Sequence, residues 1–208
     1  MPLMQHFSPV SHIHIGIWEI TESLSELLKI YGEFPLSEEL EKFKNEVRKK
    51  QGLSVRTLLK ELCKIKKLQF NGLGKDDFNK PFPKGQKYHL SISHTDKYAV
   101  AIINEKEAVG IDIEAVSAKV EKIKHKFLSE KELQKTANNL EEMAVYWSAK
   151  ESLYKLYGKK KVLFNKELFI EKEKQQSNFT GKILKADLQK TVRMQWQFID
   201  SFVLVYTL

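Results

Sequence analysis

Three short segments hold residues whose types and spacing suit phosphate and cation chemistry. The first is Val109-Gly110-Ile111-Asp112-Ile113-Glu114. Side chains along a strand alternate between its faces. Ile111 and Ile113 would therefore enter a core, with Asp112 and Glu114 side by side on the opposite face. Adjacent carboxylates repel, and a hard cation between them relieves the repulsion. Gly110 lets another backbone or a ligand approach closely. The second segment is Trp147-Ser148-Ala149-Lys150-Glu151-Ser152-Leu153-Tyr154-Lys155. Trp147, Glu151 and Lys155 are four apart and share one stripe of a helix. The third is Ile92-Ser93-His94-Thr95 at a predicted hairpin turn, preceded by Asn79-Lys80-Pro81. A lysine and a histidine beside a strand end can hold phosphate oxygens. Each segment alone also has an ordinary reading: an amphipathic strand with a wet face, a surface Glu–Lys pair beside a Trp, and a solvated turn histidine.

The elements that must carry these groups follow from periodicity. His12 to Ile20 alternates as a strand, with Ile13, Ile15 and Ile17 on one face. Thr21 is the predicted cap of a short helix through Ile30, ended by Gly32 and Pro35. Ser37 opens a charged helix to about Lys50. Gly52 is expected to break it, and Ser54 to start another through Lys66. Residues 71–85 read as a loop. His89 to Ser93 and Tyr98 to Asn104 read as a hairpin, and Ala108 to Glu114 as a further strand. Ser129 and Glu132 have capping-box spacing, and so do Asn139 and Glu142, the latter opening a helix to Gly158. Strands are expected over 162–171, 179–186, 193–199 and 202–207, with Asp200-Ser201 as a turn. Strands and helices do not alternate regularly, so the expected class is α+β with mostly antiparallel sheet. We expect two similar, pseudo-duplicated lobes, residues 1–104 and 105–208, with the active site between them.

Bulk composition narrows the partners. A chain of 208 residues, 42% hydrophobic and 30% charged, is globular rather than disordered. The net charge of +8 favours anionic partners. A nucleic-acid module is disfavoured by the lack of an RNP-type aromatic strand, zinc spacing or a basic recognition helix. No P-loop is present, which lowers a nucleoside triphosphatase reading. No membrane span and no signal peptide are expected. The single cysteine, Cys63, permits no intramolecular disulfide and falls in an apolar pattern, so a cytoplasmic protein with a buried thiol is expected.

Taken together and in order, the segments resemble the 4'-phosphopantetheinyl transferase superfamily, in particular its larger monomeric type serving peptide and polyketide synthetases. The resemblance rests on Asn79-Lys80-Pro81, Ser91-Ile92-Ser93-His94, Gly110-Ile111-Asp112-Ile113-Glu114, Phe127-Leu128-Ser129-Glu130-Lys131-Glu132 and the segment Trp147 to Lys155. It spans about residues 79–158. One departure is Asn79, where the family often has Gly.

The resemblance implies transfer of the 4'-phosphopantetheine arm from coenzyme A to a serine of an apo acyl or peptidyl carrier protein, with release of 3',5'-ADP. Another magnesium-dependent phosphotransferase or a nuclease is the alternative. Asp112, Glu114 and Glu151 would hold Mg2+, or Mn2+. Glu151 would accept the serine proton, and Lys155 would stabilise phosphate charge. Lys80, Pro81, Ser93 and His94 would contact coenzyme A. Arg48, Lys49, Lys50 and Arg56 are candidates for its 3'-phosphate. Trp147 is expected to position Glu151 by packing, and Asp112 to be a partly exposed ligand. Lys119, Lys122, Lys124 and Lys126, interleaved with Val116, Val120 and Ile123, are a plausible docking face for an acidic carrier protein.

Overall fold

The computed structural model describes residues 3–34, 36, 38–172 and 176–208. Pro35 and Ser37, expected to end one helix and open the next, lie outside the described residues. The architecture is α+β, and its sheets are antiparallel. The chain divides into two compact units, Met1–Glu107 and Ala108–Leu208.

In the first unit, strands β1 (Leu3–Val10), β2 (Ile13–Glu19), β5 (His89–His94) and β6 (Tyr98–Asn104) form a sheet in the order β1-β2-β6-β5. Helix α1 spans Leu24–Tyr31, α2 Glu38–Lys42 and α3 Glu46–Ile65. Ser23, not Thr21, caps α1, because Ser23 and Glu26 close a capping box. Gly52 does not break the charged helix. Asn45 caps α3, which runs unbroken past Gly52 for 20 residues. A Cβ at Gly52 would stand 2.8 Å from Leu40 Cδ2, so the missing side chain serves packing rather than termination. The core gathers Trp18, Leu27, Leu40, Leu53, Leu58, Leu62 and Cys63, among others. A polar chain runs along the sheet: Ser8 Oγ to His14 Nδ1 at 2.9 Å, and His14 Nε2 to Glu105 Oε1 at 2.8 Å.

The expected loop 71–85 contains a short hairpin, β3 (Leu73–Lys75) with β4 (Pro81–Pro83). Its turn is built by Asp76, whose Oδ1 accepts from the backbone N–H of Phe78 and of Lys80. Asn79 sits there at φ +68°. That is the left-handed conformation Gly adopts most easily and Asn tolerates best among other residues. The departure from the family's usual glycine therefore preserves the backbone path.

In the second unit, β7 (Ile111–Ala115), β8 (Leu168–Glu171), β9 (Asn178–Lys185), β10 (Leu188–Ile199) and β11 (Phe202–Thr207) order as β7-β11-β10-β9-β8. Helices α4 (Ala118–Phe127), α5 (Glu130–Thr136), α6 (Leu140–Tyr157) and α7 (Phe164–Glu167) complete it. Residues 164–167, expected within a strand, form α7 instead. In both units the strand before the long helix pairs with the unit's last strand. Helix α6 packs on β7 and β11 and carries the core residues Met143, Ala149, Leu153 and Leu156. Among the described residues no helix is long and apolar enough to cross a membrane.

Candidate active site

The site is assembled where α6 crosses β7. Gly110, just ahead of β7, makes that crossing possible. A Cβ there would lie 1.9 Å from the carbonyl oxygen of Ser152 on α6. The close approach that Gly110 allows is thus to a helix backbone, not to a ligand. Thr207 fixes the same point: its Oγ1 accepts from Gly110 N at 3.0 Å, and its N–H donates to Gly110 O at 3.0 Å. Ser152 Oγ donates to Val205 O on β11, directly opposite Asp112 in the sheet register. The helix is therefore tied to the sheet at Gly110, just before the acidic pair, and at Val205, opposite Asp112.

Asp112 is buried, only 3% exposed, which corrects the expectation of a partly exposed side chain. Its partner is Lys155, whose Nζ donates to Asp112 Oδ1 at 2.6 Å and to Ile111 O at 3.1 Å. Lys155 is not merely half of a surface Glu–Lys pair along α6; it reaches across to the strand. Glu114 is half-buried and accepts from Trp147 Nε1 at 3.1 Å. The Trp147 ring sits edge-on to Phe127 and tilted against Phe164, with centroids 5.1 and 5.7 Å away. Packing does fix Trp147, as expected, but the carboxylate it orients is Glu114 rather than Glu151.

Glu151 is half-buried on the same stripe of α6. Burial, then the neighbouring Asp112 and Glu114, push its carboxyl up to about 7, against the opposing pull of Lys155 and Lys119. Burial and Asp112 also raise Glu114, opposed by its hydrogen bond from Trp147 and by Lys119 and Lys155. Asp112, Glu114 and Glu151 thus share one field, balanced in part by Lys155 and by Lys119 of α4. Lys119 was read from the sequence only as part of a docking face.

These carboxylates suit a hard divalent cation. Their oxygens are the donor type that magnesium prefers, and the mutual repulsion that lifts two of them would be relieved by positive charge. They are not gathered as a ready-made cage: among the described residues no group of three or more His, Cys, Asp and Glu is placed to hold a metal ion. Lys155 stands on Asp112 and supplies one positive charge there.

Lys150, in the middle of the same motif, points elsewhere. Fully buried, its Nζ donates to Phe127 O at 2.6 Å, Glu132 Oε2 at 2.6 Å and Phe164 O at 3.0 Å. Glu132 also closes the Ser129 capping box and accepts from Ile170 N at 2.9 Å. Lys150 is thus a structural tie between α6, the end of α4, α5 and α7. Burial lowers its pKa, and the Glu132 carboxylate opposes the shift. The capping-box spacing was legible in the sequence; that its glutamate would also face a buried lysine was not.

Residues 108–207 match the model of the 4'-phosphopantetheinyl transferase superfamily. The C-terminal unit belongs to that superfamily. No curated protein matches the chain. The matched residues include Asp112, Glu114, Glu151 and Lys155, and the match supports a transferase.

The remaining predicted site residues lie in the first unit. Lys80 is half-buried next to Asp76, and burial lowers its pKa against the pull of Asp76. Pro81 begins β4. Ser93 is buried and His94 exposed at the end of β5. Arg48 is exposed in the first turn of α3. Arg56 is buried, and its Nη1 donates to Gly52 O at 3.0 Å, which ties this candidate phosphate contact to its own helix.

Proposed function

We propose that the protein transfers the 4'-phosphopantetheine arm of coenzyme A to the serine of an apo acyl or peptidyl carrier protein and releases 3',5'-ADP. The proposal includes membership of the larger monomeric type and a cytoplasmic setting. The observation that carries it is the group at the α6–β7 crossing, where three acids and Lys155 share one field inside a phosphopantetheinyl transferase domain.

Asp112, Glu114 and Glu151 would hold Mg2+, or Mn2+, by carboxylate oxygens. The cation would neutralise the pyrophosphate and ease departure of the nucleotide. Asp112 and Glu114 are held by the strand, and Trp147 orients Glu114. Glu151 accepts the proton of the carrier serine, directly or through a water, as its oxygen attacks the β-phosphorus. The bond to the leaving 3',5'-ADP breaks in the same displacement. Lys155 supplies an ammonium to the phosphate oxygens as charge moves to the leaving group. Lys80, Pro81, Ser93 and His94, with Arg48 and Arg56, enter as coenzyme A contacts on the strength of the family resemblance.

Incubation with coenzyme A, Mg2+ and a panel of apo carrier proteins, followed by intact-mass measurement, tests the reading. A mass gain of one phosphopantetheine arm on the carrier serine is expected, and EDTA should abolish it. No gain on any carrier, or full transfer in EDTA, overturns it.

A further inference from the structure

Lys155 and a divalent cation are rival counter-ions for the Asp112 carboxylate. The lysine Nζ is 2.6 Å from Asp112 Oδ1, a short charge-assisted contact, and its second acceptor is the carbonyl of Ile111. The two partners differ in freedom. The Asp112 side chain is 4% exposed and held on a central crossing, whereas the Lys155 side chain is 26% exposed and lies in the last turn of α6. A lysine is a point charge on a flexible four-carbon stem, so the lysine is the partner that can leave. Three carboxylates and two ammonium groups, Lys155 and Lys119, make up this field. A free cation that reaches Asp112, by displacing Lys155 from Oδ1 or at Oδ2, lies beside the Lys155 ammonium, and the like charges weaken its hold. Pyrophosphate oxygens change that balance, because they give Lys155 a replacement partner.

We propose that Lys155 is a built-in counter-ion that guards Asp112 against free divalent cation, and that it yields the carboxylate only when the cation arrives with the pyrophosphate of coenzyme A. This rests on the transferase reading above. It makes metal and coenzyme A binding mutually reinforcing, and by linkage the reinforcement is reciprocal.

The test is a Mn2+ titration followed by electron paramagnetic resonance of free Mn2+, with and without coenzyme A and with no carrier protein present. Wild type should bind Mn2+ weakly alone and more tightly with coenzyme A. Lys155→Met should bind Mn2+ alone about tenfold tighter or more, since a hydrogen bond between charged groups is lost from the competing state. Its gain from added coenzyme A should shrink. Lys155→Arg, which keeps the charge, should stay as weak as wild type, and Lys155→Gln repeats the test should the methionine variant not fold. The proposal fails if the uncharged variant binds Mn2+ alone no tighter than wild type, or if the arginine variant behaves like methionine. If neither wild type nor any variant binds Mn2+ even with coenzyme A, the transferase reading fails with it.

Discussion

Lys155 and Glu151 divide the work at the residue scale, and their environments say which substitution costs what. Lys155 pairs with a buried aspartate, so Lys155→Ala should lower turnover by roughly 10²-fold or more, the scale of removing one transition-state charge stabiliser. It should also cost about 1–3 kcal/mol of stability, because buried Asp112 loses the ammonium that donates to it. Glu151→Gln should lower turnover further while barely moving the melting temperature, since Gln keeps size and helix propensity and removes a group that burial and like charges already disfavour as an anion. Turnover at saturating Mg2+ and both substrates, read beside thermal unfolding, separates the two. Near-normal turnover in either variant would remove this helix from the active site. The types and spacing of Asp112, Glu114, Glu151 and Lys155 were legible in the sequence because strand alternation and the four-residue helical step are local rules. The Lys155–Asp112 and Trp147–Glu114 contacts were not, because they join residues 43 and 33 positions apart and depend on where α6 lands on the sheet.

Elements, rather than single residues, decide how α6 is held. Gly110→Ala should be severely destabilising: the added methyl meets backbone at 1.9 Å, which cannot swing aside as a flexible side chain would. Lys150→Met should cost about 3–5 kcal/mol, the range for stranding one member of a buried ion pair. By contrast Ser148→Ala, one turn before Ser152 and fully buried, should be neutral or stabilising, because Ser148 Oγ has no hydrogen-bond partner to lose. Chemical denaturation of the three variants checks the ranking. A destabilised Ser148→Ala, or a harmless Lys150→Met, would mean that the roles along this helix are misassigned. The same scale shows why local reading reaches so far and no further. The strands at Ile13–Glu19, Tyr98–Asn104 and Phe202–Thr207 carry strong alternation or apolar runs, and the caps at Ser129 and Asn139 are local chemistry. Strand β1 has no such pattern and exists because β2 offers it an edge. Gly52 was read as a breaker because propensity does not know that Leu40 fills the space a side chain would take.

Charge acts on the scale of the whole molecule, and α4 is where it can meet a partner. The chain carries +8. On α4, Val120 and Phe127 are buried in the core and Ile123 packs against it, so the helix offers charge rather than apolar surface to solvent. Lys119, Lys122 and Lys126 are exposed, while Lys124 donates to Asn138 Oδ1 at 2.7 Å. We therefore propose that docking of an acidic carrier protein on this face is electrostatic and reads the exposed lysines, with Lys119 also serving the carboxylate field. Charges of this kind are screened beyond a Debye length, about 8 Å at physiological ionic strength. The contacts proposed for coenzyme A, where half-buried, would be screened less. Raising salt should accordingly increase KM for the carrier protein more than KM for coenzyme A. Lys122→Glu and Lys126→Glu should raise KM for the carrier, leave KM for coenzyme A unchanged and flatten the salt dependence, because the charges being screened are gone. Lys124→Ala should act mainly on stability and little on carrier KM. Equal salt effects on both substrates, or reversal variants with normal carrier KM, would move the docking surface away from α4. The carrier would then have to be recognised by shape or by another face of the protein, and the positive charge on α4 would reflect solubility alone.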